Sequence, residues 1–541
     1  MRSAIGPLVT LAATVLFAVA LASGGATGAD AGSDPHLVEL YPNPVAPGDP
    51  GEYVTVYFPT ETALDGWALA DRYDREPLPN VTVEGRVAFS PDPDVAATHT
   101  DDPVHSVGSG IRLADAEDTI ELHAGDDVID ETSYKRAPQS QVWTRTDDGW
   151  TWVPLGATDR PVERFEDQTV TTFVLPDGHE IPDEVLRGAE DRILLAAYTL
   201  SDEETTRELV DAVDRGVEVD VLVEGGPAGG VSKEQGERLD ELAESGVNVT
   251  VLTGPKTRYR FHHAKYAVAD DRAVVLTENW SPTGVGGGSN RGWGIVLDGE
   301  PAEALAETFE KDAGWRDGVE WTDARDTIDR HDQPTEVDTY PEEFDIEEHP
   351  ADSIEIVVAP ENAEDELLDR LDDAETSITI QQLSVREGHP FLDALVDAAA
   401  RGVDVEVQLS GEWYVREDNA AVADALDRKA DREDLPIETR LIESSSRFET
   451  VHTKGIVIDD RTTVIGSVNW TNTSIRENRE VAVIVDGEPV AGYYTDAMRA
   501  DATDADEPGT ELPIEVVVVT VGVVIGTGLA LRRWTPFEEE R

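Results

Sequence analysis

Two short histidine–lysine motifs are the residues of this chain best suited to chemistry. The first is His263-Ala264-Lys265 with Asp270 five residues further on, and the second is His452-Thr453-Lys454 with Asp459 at the same spacing. Residues two apart in a β-strand project from the same face, so each histidine and its lysine point together. A neutral imidazole can attack phosphorus, a protonated one can donate to a leaving oxygen, and an ammonium group holds phosphate oxygens. Two such pairs predict one phosphodiester site built from both halves of the chain.

The segments that follow the two motifs are related but not identical. Gly466-Ser467-Val468-Asn469-Trp470 follows the second motif and Leu276-Thr277-Glu278-Asn279-Trp280 follows the first. Aligning the two Asn-Trp pairs matches the hydroxyl residues and the asparagines. Such groups can donate to an equatorial phosphate oxygen and stabilise charge as it develops. We therefore predict four substrate-binding residues: Thr277, Ser467, Asn279 and Asn469.

The elements around the motifs repeat as well. A strand, a helix and a second strand are predicted over 192–198, 203–215 and 217–223, and again over 377–383, 391–401 and 403–409. Gly216 and Gly402 lie where each helix ends, a position that favours a residue able to adopt a left-handed conformation. Strand, helix and strand repeated in this way predict an α/β layer fold in each half.

These motifs together resemble the phospholipase D superfamily, whose signature is His-x-Lys-x4-Asp followed by Gly-Ser-x-Asn. The resemblance covers residues 166–500 approximately. It implies two repeated α/β domains that form one pseudo-twofold unit. One histidine would form a phosphohistidine, and the other would act as general acid and then as base for water. The lysines and asparagines would bind phosphate, the aspartates would support structure and charge near the site, and no metal or other cofactor would be needed. The candidate catalytic residues are His263, Lys265, Asp270, His452, Lys454 and Asp459.

One half of the predicted site is better preserved than the other. Glu480, within Asn478-Arg479-Glu480, matches a superfamily position that orients a histidine. The first half has Asn290-Arg291-Gly292 there, so this support is missing or supplied differently. Family habit favours His263 as the nucleophile, whereas the better-preserved surroundings favour His452. A repeat that folds but no longer reacts is the alternative that the altered first half leaves open.

The region before the repeat has a different texture. Short alternating segments separated by Pro and Gly turns predict an all-β, immunoglobulin-like sandwich over residues 34–160. This part resembles the lamin-tail domain in four segments: 51–54, 64–71, 118–122 and 128–134. The resemblance implies a binding or spacing module beside a catalytic one.

Composition restricts the setting in which the chain works. The 541 residues carry a formal net charge of -70 and include no cysteine. Such an acidic surface suits very high salt, where charges are screened within about 3 Å at roughly 1 M. The lack of cysteine excludes disulfides and thiolate chemistry. Lysine is scarce, with seven in the chain, and two of them belong to the repeated motif.

Both ends have the pattern of membrane signals. Residues 1–29 are predicted as a signal peptide and residues 513–534 as a transmembrane helix followed by the basic pair Arg532-Arg533. Between them, the two phospholipase D-like domains are predicted over 166–320 and 353–503, joined by an acidic linker over 321–352. The main body is expected outside the cell, as a single-pass membrane protein with a cytoplasmic C-terminus. The two halves form a pseudo-dimer within one chain, so a monomer is expected.

The predicted activity is that of a membrane-anchored, extracytoplasmic phosphodiesterase. The tether and the presence of both halves in one chain favour phospholipid as substrate, with hydrolysis or transfer to an alcohol. The lamin-tail-like region favours the alternative, an extracellular nuclease. A third possibility is a non-catalytic surface scaffold. The basic cluster Lys256, Arg258 and Arg260 either steers an anionic substrate or pairs with nearby carboxylates.

Overall fold

The computed structural model describes residues 34–46, 48–147, 149–156, 161–333, 335 and 337–506. The predicted signal peptide and the predicted transmembrane helix lie outside these residues. Within the described ranges, no helix is both long and apolar enough to cross a membrane.

The N-terminal region consists of two β-sheets with a shared core. Its elements are β1 (His36–Tyr41), β2 (Tyr53–Ala63), β3 (Trp67–Ala70), β4 (Arg75–Pro77), β5 (Thr82–Ser90), α1 (Pro93–Ala96), β6 (Val104–Ser106), β7 (Asp118–Ala124), β8 (Asp127–Tyr134), β9 (Gln141–Thr146) and β10 (Gly149–Pro154). The strand orders are β10-β9-β1-β2-β5-β6 and β4-β3-β7-β8. Buried side chains from both sheets, such as Val56 of β2 and Leu122 of β7, belong to one apolar cluster. The region is therefore β-rich, as predicted, while its likeness to the lamin-tail domain stays a prediction.

The remaining described residues form two copies of one α/β unit. The first unit contains β11 (Glu163–Leu175), α2 (Ile181–Arg187), β12 (Arg192–Ala197), α3 (Glu203–Arg215), β13 (Glu218–Glu224), β14 (Val231–Ser232), α4 (Lys233–Ser245), β15 (Asn248–Leu252), β16 (Tyr266–Ala269), β17 (Arg272–Leu276), β18 (Asn290–Asp298) and α5 (Glu300–Ala313). Three short elements follow: β19 (Gly318–Glu320), α6 (Trp321–Ala324) and β20 (Arg330–His331). The second unit contains β21 (Glu347–Ala359), α7 (Ala363–Asp372), β22 (Ser377–Gln382), α8 (Pro390–Arg401), β23 (Asp404–Ser410), α9 (Arg416–Glu433), β24 (Ile437–Ile442), β25 (Thr450–Val451), β26 (Lys454–Ile458), β27 (Thr462–Gly466), α10 (Asn472–Arg476), β28 (Glu480–Asp486) and α11 (Glu488–Asp506).

One sheet of 16 strands joins the two units. The order β15-β13-β12-β16-β17-β18-β11 in the first unit is mirrored by β24-β23-β22-β26-β27-β28-β21 in the second. The units meet where β11 pairs antiparallel with β21. Because the orders mirror each other and the central pair is antiparallel, the units are related by a pseudo-twofold axis at this pair of strands. This is the repeated α/β architecture that the sequence predicts.

Helix α3 shows how the sequence sets the repeat locally. Asp202 accepts a hydrogen bond from the backbone N–H of Thr205 at 2.9 Å and so caps the start of the helix. Gly216 ends it with a φ of 94°, and Gly402 ends α8 in the second unit with a φ of 97°. Both values lie in the left-handed region that favours glycine. The helix therefore stops where the next parallel strand has to begin.

The segment predicted as an acidic linker, residues 321–352, is only partly a linker. Its first residues form α6, in which Trp321 is buried against the first unit. Its last residues belong to β21, which pairs with β11 from Glu347 onward. The acidic composition hid this strand, because many of its side chains at that end remain exposed while its backbone pairs with β11.

Buried ion pairs fasten each unit to the other. Arg479, beside the start of β28, pairs with Asp312 of α5 at 2.7 Å between Nη2 and Oδ1. In the mirrored arrangement, Arg291 of β18 lies 3.2 Å from Asp501 of α11. All four side chains are almost completely buried. Each arginine also pairs with a second buried carboxylate, Arg479 with Glu361 and Arg291 with Asp177. Separation of the units would break the pairs with Asp312 and Asp501 and expose their charges, so these pairs oppose it.

We expect Asp312→Ala to lower the free energy of unfolding by about 1.5–3 kcal/mol, because buried Arg479 would lose its two hydrogen bonds to Asp312 and keep only Glu361 as a charged partner. Chemical unfolding at constant salt measures the loss. Glu310→Ala is the matched control: it lies on the same helix but forms an exposed pair with Arg192, so its cost should stay within about 1 kcal/mol. Equal costs for the two variants would contradict the role given to the buried pair.

Candidate active site

Both histidine–lysine motifs lie at equivalent places in the mirrored sheet. Lys265 immediately precedes β16, and Lys454 is the first residue of β26. Each motif is attached to the other unit through its backbone: the N–H of His263 donates to the carbonyl of Arg479 at 2.8 Å, and that of His452 donates to Arg291 at 2.9 Å. The structure therefore brings the two motifs to the interface between the units.

His263 is held by a carboxylate of the second unit. Its Nδ1 lies 2.8 Å from Oε2 of Glu480. The other oxygen of Glu480 accepts hydrogen bonds from Ser474 Oγ at 2.5 Å and from Asn478 Nδ2 at 3.0 Å. Burial raises the pKa of Glu480, but His263 and Lys265 lower it by more, so the net pKa lies below its usual value. An ionised Glu480 fixes the ring and leaves Nε2 as the atom available for reaction.

His452 is held in the same way by a carboxylate that the sequence did not reveal. Its Nδ1 lies 3.0 Å from Oε1 of Glu278, a residue of the first unit. Asn290 Nδ2 donates to the other oxygen of Glu278 at 2.9 Å. Burial again raises the pKa of this carboxyl, while His452 and Lys454 bring it below its usual value. The support that was predicted as missing or supplied differently in the first half is therefore supplied by Glu278.

Gly292 explains how the carboxylate that holds the histidine can come from a different sequence position in the first half than in the second. This glycine aligns with Glu480, and a Cβ placed on it would lie 2.3 Å from Cγ of Glu278. A glutamate at 292 and a glutamate at 278 thus exclude each other. The available sequence signal was a pair of changes: Glu278 stands where the second half has Val468, and Gly292 stands where it has Glu480.

The two lysines lie beneath the histidines and are almost completely buried. Lys265 Nζ donates to the carbonyl of His263 at 2.6 Å, and Lys454 Nζ donates to the carbonyl of His452 at 2.7 Å. Burial and repulsion by Lys454 hold the pKa of Lys265 well below its usual value. Burial lowers the pKa of Lys454 to about 8, against the opposing effect of Glu278 and Glu480. A phosphate anion placed between these groups would favour their charged forms.

Both histidines are neutral near neutral pH. Burial lowers the pKa of His263 to about 4, with Glu480 opposing the shift and the two lysines adding to it. The pKa of His452 is lowered for the same reasons, with Glu278 as the opposing group. A neutral imidazole whose Nδ1–H points at a carboxylate presents an unprotonated Nε2, which is the form that a nucleophile or a general base needs.

The predicted substrate-binding residues divide into two kinds. The side-chain oxygens of Asn279 and Asn469 are buried and have no hydrogen-bond partner among the described residues. Thr277 and Ser467 are occupied instead: Thr277 Oγ1 accepts from the N–H of Trp293 at 2.9 Å, and Ser467 Oγ accepts from that of Val481 at 3.1 Å. The hydroxyls therefore tie down the segments that carry the asparagines. An asparagine can bind a phosphate oxygen only through its Nδ2 amide group, which donates, so the Nδ2 groups of Asn279 and Asn469 are the better candidates for phosphate binding.

Asp270 and Asp459 lie away from the histidines, unlike the other candidate catalytic residues. Each accepts hydrogen bonds from three consecutive backbone N–H groups, those of residues 190–192 and 375–377 respectively. At about 3.3 Å per residue, a strand carries the aspartate roughly 16 Å beyond its lysine. These aspartates fix the start of β12 and β22 and do not contact the pocket.

One aromatic side chain makes the pocket asymmetric. The ring of Tyr198 stands edge-on to that of His263 with a centroid distance of 4.6 Å, and Lys265 Nζ lies 5.2 Å from the Tyr198 centroid. Leu383 occupies the equivalent position in the second unit, as the matching bridges Leu200 to Trp280 and Val385 to Trp470 show. No motif identified Tyr198 in the sequence.

The fold and the site together indicate a class of protein. Two histidine–lysine pairs lie at one interface of a pseudo-twofold α/β unit, an arrangement suited to phosphodiester chemistry. The model of the family described as "Cardiolipin synthase, PLD-like domain" matches this chain over residues 183–313 and 367–502. The chain belongs to the phospholipase D superfamily, as its motifs predicted. No match was found among curated protein sequences.

Solved structures with a similar fold include enzymes of different kinds. Phosphatidylserine synthase from Haemophilus influenzae is 12% identical, with a TM-score of 0.45, over 69% of this chain and 95% of that one. The phospholipase D family member Nuc from Salmonella typhimurium is 24% identical, with a TM-score of 0.24, over 28% of this chain and 94% of its own. NucT from Helicobacter pylori is 16% identical, with a TM-score of 0.24, over 28% of this chain and 96% of its own.

Glu278→Val should reduce kcat by roughly 10- to 10⁴-fold, the range known for carboxylates that orient a histidine. Hydrolysis of bis(p-nitrophenyl) phosphate measures the effect. The double variant Glu278→Val/Gly292→Glu copies the arrangement of the second half, so it should recover much of the lost activity. Failure of the double variant to exceed Glu278→Val, with both proteins folded by circular dichroism, would contradict the exchange of positions.

Binding of tungstate, a phosphate-like oxyanion, should be accompanied by proton uptake near neutral pH. In the protein alone the pKa values of His263 and Lys454 are about 4 and about 8, and an adjacent anion raises both. Affinity should therefore tighten as pH falls from the alkaline side. Calorimetry in two buffers of different ionisation enthalpy counts the protons. Near pH 8, where Lys454 is about half protonated before the anion binds, Lys454→Met should reduce that count. An affinity that does not vary with pH would be evidence against this electrostatic account.

Proposed function

We propose that this protein is a phosphodiesterase that works in two steps through a phosphohistidine. The observation that carries the proposal is the crossed pair of contacts, Glu480 with His263 and Glu278 with His452, which holds two imidazoles with Nε2 available. Two histidines in one pocket allow one to act as nucleophile while the other manages the proton.

In the first step, Nε2 of one histidine attacks phosphorus, so a P–N bond forms and the P–O bond to the leaving alcohol breaks. The other histidine, protonated when the anion is bound, donates its proton to the leaving oxygen. In the second step that histidine takes a proton from water, the water oxygen bonds to phosphorus, and the P–N bond breaks. An alcohol in place of water would give transfer. Lys265, Lys454 and the amides of Asn279 and Asn469 hold the non-bridging oxygens throughout.

The alternative of a degenerate repeat loses its main support. It was motivated by the altered first half, in which the Gly-Ser pair and the orienting glutamate are absent. Glu278 replaces the glutamate, and Thr277 makes a backbone contact that corresponds to that of Ser467. Both halves therefore retain the groups that the reaction uses.

The setting of this activity follows from the sequence. The predicted signal peptide and transmembrane helix support a membrane-anchored enzyme with its main body outside the cell, and the net charge of -70 supports work at high salt. The tether and the fused halves favour phospholipid as substrate. The lamin-tail-like region and the positive charge of Arg260, three residues before His263, favour nucleic acid. The two-step chemistry is the same for a phospholipid and for a nucleic acid.

The test uses the full-length protein at high salt with labelled phospholipid and labelled DNA. Wild type should turn over one of the two substrates, and His263→Asn and His452→Asn should each lose at least the roughly 10²–10⁴-fold due to a general acid–base group. Rapid quenching should trap phosphate label on one histidine. The variant in which no label is trapped identifies the nucleophile. Equal turnover by wild type and both variants would exclude a shared site, and no turnover of any diester would favour the scaffold alternative.

A further inference from the structure

A cleft of about 630 Å³ opens where the N-terminal sandwich meets both α/β units. Lys135, Arg136 and Gln139 line it from the sandwich, Arg260 from the first unit and Glu477 from the second. Within the described part of the chain, Lys135 and Arg136 are exposed and form no ion pair.

The charge of this cleft is opposite to that of the chain. Its three cations outnumber its two carboxylates, Asp115 and Glu477, in a protein of net charge -70. Arg260 uses Nη1 to donate to Gln139 Oε1 at 2.7 Å, which leaves its other N–H groups available. Arg258, a second member of the basic cluster found in the sequence, is buried against Asp317 and takes no part. The cleft is therefore a place where an anion is attracted locally although the surface as a whole repels it.

Two residues of the cleft lie close in the chain to the His263 side of the site. Arg260 precedes His263 by three residues, and its backbone N–H donates to the carbonyl of Glu477 at 2.9 Å. Glu477 in turn precedes Glu480, the partner of His263, by three residues. Three residues of chain span at most about 11 Å, so the Cα atom of Arg260 lies within that distance of the Cα atom of His263. A second anionic group at that distance from the first would contact these cations.

Exposed aromatic rings lie near the chain segment that leads to His452. Trp413 and Tyr414 follow β23 and are 82% and 50% exposed, with ring centroids 5.6 Å apart. Their neighbour Glu412 accepts a hydrogen bond from Thr450, two residues before His452. Two adjacent exposed rings form a surface that a ligand can cover, and flat aromatic faces are the surfaces on which nucleobases stack.

We propose that the cleft binds the backbone of a single nucleic-acid strand whose neighbouring phosphate lies between the two histidines, with Trp413 and Tyr414 stacking on its bases. This inference rests on the proposed phosphodiesterase function and adds the class of substrate. A second anion site beside the first selects a ligand in which phosphates repeat, as they do along a strand. A basic groove followed by aromatic faces is the arrangement that holds single strands without sequence preference.

The test measures binding of a fluorescein-labelled oligothymidylate by anisotropy over a series of potassium chloride concentrations. All proteins are full-length and carry His263→Asn, so that the strand is not cut. Lys135→Gln/Arg136→Gln should weaken binding and reduce the slope of log affinity against log salt by about 1.4, at about 0.7 for each lost contact to a single strand. Trp413→Ala should weaken binding without changing that slope.

Arg428→Gln/Lys429→Gln is the matched control, because this adjacent arginine–lysine pair lies on α9 and forms only exposed ion pairs along its own helix. It changes the net charge equally and should leave binding and slope as in the parent. Slopes that agree between the cleft variant and the control would overturn the inference. The inference would also be overturned if the parent protein bound anionic phospholipid vesicles more tightly than the oligothymidylate and the cleft variant weakened both equally. That result would assign the cleft to lipid. Turnover of bis(p-nitrophenyl) phosphate by the otherwise wild-type protein tests the reaction separately, so the cleft can fail while the phosphodiesterase stands.

Discussion

Two buried carboxylates, each supplied by one α/β unit, hold the histidine of the other unit. This crossed arrangement requires a rigid interface, because an ionised glutamate and a neutral imidazole keep their geometry only if the two units cannot shift relative to each other. The central pair of strands, β11 with β21, and the buried pairs Arg479 with Asp312 and Arg291 with Asp501 meet that demand. Folding and catalysis therefore depend on one interface, and neither unit contains a complete site.

The protein has two electrostatic environments, the acidic surface and the buried pocket at this interface. The surface carries most of the 113 acidic residues, whose mutual repulsion is screened within about 3 Å at roughly 1 M salt. The pocket keeps two of the seven lysines in almost complete burial, where salt has little access. High salt can thus relieve the repulsion that would loosen the fold while leaving the attraction between pocket and phosphate largely intact.

The sequence predicted those features that short repeats encode. The paired motifs and the repeated order of strand, helix and strand follow from residues that are close in sequence and recur at matching positions, and Glu480 follows from the resemblance to the superfamily. It did not predict Glu278, because the signature treats that position as variable and its role depends on Gly292 in a different strand. Asp270 and Asp459 were predicted as catalytic residues that support structure and charge near the site. The five-residue step from each lysine to its aspartate instead carries the aspartate to the far end of the strand, where it accepts backbone hydrogen bonds at the start of β12 or β22.

Fusion of the two units into one chain has a consequence for what the pocket can recognise. A site made from two identical subunits must present the same walls to both ends of its substrate. Here the walls differ, with Tyr198 beside His263 and Leu383 at the matching position, and with the carboxylate of His452 taken from a different segment than that of His263. A phosphodiester has two unlike ends, and an enzyme whose halves have diverged can tell them apart and fix the direction in which the substrate lies.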